Sequence, residues 1–122
     1  MARIASYKDL QTWQKAMTAA VSCFSLTEQL PHDIRFELTN QIHRAAVSIP
    51  SNIAEGFNRH SRLAYINHLR IALGSLAELQ TQLELAVRLK LIEQTRTQSI
   101  SAQLDEVGRM LHGLVRALQR SE

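Results

Sequence analysis

Arginine is the residue type that best equips this chain for chemistry. Arg35, Arg44, Arg59, Arg62 and Arg70 fall between positions 35 and 70, against only Glu37 and Glu55, while nine basic and nine acidic residues balance elsewhere. The net charge of +3 therefore sits in the middle of the chain, which also holds His43, His60 and His68. A guanidinium is a planar fork that holds phosphate or carboxylate through paired N–H donors, whereas an ammonium acts as a point charge. The chemistry implied is binding to the phosphate backbone of RNA or DNA. The plainer alternative is a solvated helix face laced with ion pairs. Phe57, beside Asn58 and two residues before Arg59, lies close to this charge, and its spacing makes it a core position. Backbone binding has support here, and base-specific readout has none.

Patterns for bond-breaking chemistry are sparse. Arg62 and His68 have the Arg-x5-His spacing of HEPN-type ribonucleases, which are also helical bundles. Six residues on an ideal helix turn through about 600°, so the two side chains leave the axis roughly 120° apart. Leu63 also follows the arginine where those enzymes commonly carry a polar residue. Di-iron bundles need Glu-x-x-His on facing helices; here Glu55 is followed by Asn58 and Glu78 by Thr81, and no His-x-x-x-His pair exists. Cys23 stands alone among apolar residues and reads as a buried, inert thiol. A Gly-x-Ser-x-Gly elbow and a glycine-rich phosphate loop are both missing from the sequence. The expectation is a non-enzymatic protein without metal or cofactor.

The elements that must position these arginines are helices. A chain of 122 residues, 45% hydrophobic but only 5% aromatic and with two prolines, holds one domain, 1–122, rich in helix formers. Ser6 with Asp9 resembles a capping box, and Leu10, Trp13, Met17, Ala20 and Phe24 follow as one stripe, predicting a helix over 6–30 that Pro31 stops. Asp33 caps a second helix, 33–58, whose stripe runs Ile34, Leu38, Ile42, Ala45, Ile49, Ile53 and Phe57. Ser61 caps a third, 61–91, with a seam of Ile66, Leu69, Leu73, Leu76, Leu83 and Val87. A second line, Tyr65, Ala72, Leu79 and Ala86, with Ile71 and Leu85, makes its apolar surface wide enough for several neighbours or a subunit interface. The fourth, 97–120, keeps Ile100, Leu104, Val107, Leu111, Leu114 and Leu118 on one face. The predicted fold is all-α, an antiparallel up-down-up-down four-helix bundle. No apolar run reaches the ~20 residues of a membrane span, and the opening residues lack a secretory apolar segment. A cytoplasmic location is expected.

The stretch "AAVSIPSNIAEG" interrupts the pattern with Pro50. The apolar stripe passes through it from Ile49 to Ile53, so a helix kinked at Pro50 is predicted, with a break before Pro50 as the alternative. Asn52 and Glu55 can join Glu78 of the third helix in a hydrogen-bonded polar layer. Gly74 and Ser75 are read as small side chains that let another helix approach.

"LTNQIHRAAVSIPSNIAEG" followed by "IALGSLAELQTQL", with "YKDLQTWQKA" and "LPHDIRFELT" before them, resembles the four-helix-bundle family encoded in intervening sequences of bacterial 23S rRNA genes. The resemblance covers nearly the whole chain and implies a ring-shaped homopentamer. Relatives of that family include accessory variability proteins of diversity-generating retroelements, which associate with a reverse transcriptase and with nucleic acid. The chain departs from the pattern at His43, usually arginine or lysine, at Glu37, frequently glycine, and at Lys90, where some members end the third helix on glycine. The function expected is an oligomeric scaffold or adaptor on RNA or on a nucleic-acid enzyme. A ribonuclease using Arg62 and His68, and a purely structural oligomer, are the rivals.

Overall fold

The computed structural model describes residues 4–30 and 36–120. Four helices follow one short 3₁₀ turn, Tyr7–Asp9: α1, Gln11–Thr27; α2, Phe36–Asn58; α3, Arg62–Arg88; and α4, Gln94–Gln119. Pro31, Asp33, Ile34 and Arg35 lie outside the described residues, and so do the predicted stop of the first helix and cap of the second. The Ser6/Asp9 capping box forms, with Asp9 Oδ2 accepting from the Ser6 amide at 3.0 Å, but it caps the 3₁₀ turn. Extended backbone at Leu10 (φ −75°, ψ 124°) then resets the chain before α1 starts. At α3 the Ser61 hydroxyl accepts from the Ala64 amide at 3.3 Å, so that cap sits at the predicted residue. The helix ends at Arg88, where Lys90 takes a left-handed φ of 63° and the Leu91 amide reaches back to the Ala86 carbonyl at 3.0 Å.

Each helix packs on the next and α4 closes on α1, while the backbones of the diagonal pairs stay apart. Cross-helix contacts fix the directions. Ser48 meets Ser75 and Asn52 meets His68, so α2 and α3 run oppositely. Gln80 meets Asp105 and Arg62 meets Leu118, so α3 and α4 do too. Between them lies a core of Ile42, Ile53, Leu69, Leu79, Leu104, Val107 and Leu111, all essentially without solvent contact. α2 is one continuous helix with Pro50 inside it, so the chain does not break there. Proline has no N–H, and the Ala46 carbonyl lacks its usual donor from position 50.

Two packing expectations are corrected. In α1 the buried side is Thr12, Ala16, Ala19, Ala20, Cys23, Leu26 and Thr27, so of the predicted stripe Ala20 is buried, Trp13 is half-buried, and Met17 and Phe24 are exposed. Small side chains let α1 sit close to its neighbours, and the bulky ones are displaced to its flank. A Cβ at Gly74 would meet nothing within 4 Å, whereas one at Gly56 would lie 2.7 Å from His68 Cβ. Close approaches are instead made by Gly56 of α2 against α3 and by Gly108 of α4 against Leu76, while Ser75, the other small residue expected at a helix contact, is buried beside Ser48 of α2. Burial of Cys23 pushes its thiol up to about 11, which keeps it protonated and unreactive.

Candidate nucleic-acid interface

The arginines singled out from the sequence do not share one surface. Arg35 lies outside the described residues. Arg44 is exposed on α2 and Arg59 just past its end, while Arg62 and Arg70 belong to α3. Arg62 is half-buried, and its Nη1 donates to the Leu118 carbonyl at 3.2 Å, in the last turn of α4. A cation there also meets the negative end of the helix dipole.

A larger basic surface emerges where α3 and α4 pair. From Arg62 to Ala77 there is no acidic residue, and from Val107 to Arg120 there is none. The antiparallel register, with Leu76 against Gly108 and Arg62 against Leu118, lays these two stretches side by side. α4 contributes Arg109, His112, Arg116 and Arg120 at steps of three, four and four, which keeps them on one side of the helix, and all four are exposed. Arg109, His112 and Arg116 line a groove of about 560 Å³ floored by Leu76 and Gly108. At its far end Gln80 Nε2 donates to Asp105 Oδ1 at 3.2 Å, and Glu84 is held by Arg88 at 2.9 Å. Asp105 and Glu84 are thus engaged at that end, while Glu78, exposed on α3 just past Ala77, is not. Among the described residues, Arg70, Arg109, Arg116 and Arg120 have no ion-pair partner.

The polar residues near Pro50 form a different device. Asn52 Oδ1 can only accept, so His68 Nδ1–H donates to it at 3.0 Å. The Asn52 amide in turn donates to the Ser48 carbonyl and hydroxyl at 2.9 and 3.1 Å. Ser48 Oγ lies 2.7 Å from Ser75 Oγ. Asn52 is thus in a polar layer, but its partners are Ser48, His68 and Ser75. Glu55 and Glu78 are exposed and make no hydrogen bond or ion pair among the described residues. Their side chains point to water, where carboxylates are best solvated.

The family model for the 23S rRNA-intervening sequence protein matches residues 8–113. The chain belongs to this family. A crystal structure of a protein of unknown function from the S23 ribosomal protein family of Bacteroides thetaiotaomicron VPI-5482 superposes with a TM-score of 0.79 at 30% identity, covering 85% of this chain and 97% of that one. No curated protein matches. Within this 23S rRNA-intervening sequence family member, Arg62 and His68 do not converge: the first reaches α4 and the second turns to α2. Among the described residues no three His, Cys, Asp or Glu side chains gather as metal ligands, and no helix is long and apolar enough to cross a membrane.

Along the chain Arg109, His112, Arg116 and Arg120 do not stand out, because Asp105 and Glu106 just before them offset two of the three arginine charges. Their three/four spacing was the available signal.

Proposed function

We propose that this protein is a non-enzymatic, self-associating scaffold that holds nucleic acid by its phosphate backbone. The observation that carries the reading is the acid-free face of α3 and α4, where Arg70, Arg109, Arg116 and Arg120 stand without ion-pair partners among the described residues. Clustered unpaired arginines repel one another, and a polyanion relieves that repulsion while releasing its own counterions. Self-association is supported by the opposite side of the bundle. There the displaced α1 residues Trp13, Met17, Val21 and Phe24 join Val47 and Pro50 of α2 around an open groove of about 580 Å³, in which Glu28 is the one charged lining residue among the described residues. Depletion of charge and enrichment in aromatic residues and methionine mark the centres of protein interfaces.

The assembly number expected from the family resemblance is five. A ring would repeat the basic face around its axis and add avidity. A reverse transcriptase, as in the retroelement relatives, is the proposed protein partner. Light scattering after gel filtration tests the assembly, and a monomeric mass at micromolar concentration contradicts it. Incubation with labelled RNA tests the mechanism: retarded, uncleaved RNA is expected, and cleavage lost in His68→Ala would refute the scaffold reading.

A further inference from the structure

We infer that His112 is a conditional fifth cation of the α3/α4 face, holding phosphate only when protonated, so that nucleic acid and a proton bind together; this rests on the nucleic-acid reading above. His112 stands three residues after Arg109 and four before Arg116, exposed with both of them along the groove. On a helix those steps place the imidazole about 4.5 Å along the axis from Arg109 and about 6 Å from Arg116, all three within a sector of about 60°. A phosphate seated across the two arginines therefore meets the imidazole as well. The neutral ring offers it one N–H donor and no charge, whereas the imidazolium offers two donors and a full charge. Histidine gains that charge between about pH 5 and 8.

The surroundings leave this role to His112. From α3 the groove receives Leu76 and Gln80, neither of which ionises. The charged residues of α3 on either side of them, Arg70 and Glu78, are exposed and do not line the groove. On α4 itself Asp105 lies about two turns before His112 and accepts from Gln80 at 3.2 Å. Lys15 of α1 meets Glu106 at 3.7 Å, about 120° around the helix from His112. Asp105, the one carboxylate among the described lining residues, is thus engaged, and phosphate supplies the negative charge that favours an imidazolium. The other described histidines are placed differently: His43 against Phe24 and Thr27, His68 on Asn52, and His60 between α2 and α3.

Linkage makes the effect reciprocal, since the factor that phosphate adds to protonation is the factor that the proton adds to binding. An opposite charge within about 4–6 Å favours the ionised form by about tenfold or more. Binding should therefore tighten about tenfold from about pH 8 to about pH 5.5. The extra contact should also steepen the slope of log K against log salt by about 0.9. Fluorescence anisotropy of a labelled DNA duplex, whose paired bases take up no proton in this range, reads both quantities, and circular dichroism follows the fold at each pH. His112→Gln should remove the pH dependence and the steeper slope while leaving affinity at the higher pH unchanged. His112→Arg should bind tightly at both. A wild-type affinity indifferent to pH would overturn the inference while leaving the nucleic-acid reading in place. So would a pH dependence that survives His112→Gln, or one that is lost instead in His60→Gln. Binding of neither this duplex nor an RNA of the same sequence, at low salt and at either pH, would overturn both.

Discussion

Salt dependence offers the sharpest measure of the basic face. Four arginines, Arg70, Arg109, Arg116 and Arg120, have no ion-pair partner among the described residues. If each neutralises one phosphate of a duplex, the slope of log K against log salt is roughly −0.9 per contact, or about −3.6 for one subunit. Raising salt from about 50 to about 200 mM then weakens binding by roughly 150-fold. Arg109→Ala with Arg116→Ala should halve the slope to about −1.8, so the same change in salt costs only about 12-fold. The assay is anisotropy of a labelled duplex across a salt series, with circular dichroism to show that the variant keeps its helices. Arg44→Ala, at an exposed position of α2, should leave the slope unchanged. An unchanged slope in the double variant, or an equal fall in Arg44→Ala, would refute the assignment of binding to α3 and α4.

Other predictions concern the bundle itself. Gly56→Ala should destabilise by about 1–3 kcal/mol in urea unfolding because its Cβ would press on His68 Cβ at 2.7 Å. Gly74→Ala, into open space on an exposed helical turn, should stabilise by about 0.5–1 kcal/mol in the same assay. Lys90→Gly should stabilise by about 1 kcal/mol, since it relieves a side chain at φ 63°. His43 stacks on Phe24, centroids 3.9 Å apart, and donates Nε2–H to Thr27 Oγ1 at 2.6 Å, the threonine proton being committed to the Phe24 carbonyl. Desolvation by burial lowers its pKa from 6.5, so below that value the unfolded chain binds more protons than the folded one. Stability should therefore fall as pH drops below 6.5, and His43→Gln should flatten that part of a melting-temperature profile.

Much of this architecture was legible in the residues because apolar spacing of three and four repeats is unambiguous over long helices. Ser61 announced α3, and Ile42, Ile49 and Ile53 announced the buried side of α2. What stayed hidden depends on which neighbour a side chain meets. In α1 the largest apolar residues formed a regular stripe, yet the small ones took the core, because helix separation decides the volume available. Gly74 and Gly56 are alike as letters, and only the position of His68 distinguishes them. Asn52 finds its polar partners on the facing helix, while Glu55, three residues later, lies exposed. The basic face was the least visible feature, since three of its four arginines without ion-pair partners come from α4, about forty residues beyond Arg70, with acids at its shoulder; antiparallel pairing of helices creates such surfaces.

The hydrogen-bonded chain from His68 through Asn52 and Ser48 to Ser75 governs how the helices find one another. Aliphatic stripes on α2 and α3 are nearly periodic, so sliding one helix by a turn, about 5.4 Å, would still bury leucine and isoleucine. It would also strand the amide, imidazole and hydroxyls in an apolar contact, where each unpaired group costs about 1–3 kcal/mol. These four side chains therefore act as the teeth of a key: they add little to the depth of the native well but raise the wells beside it. Replacing all of them with apolar residues of similar size should leave a bundle that melts no earlier yet samples more than one register, visible as multiplied backbone amide resonances.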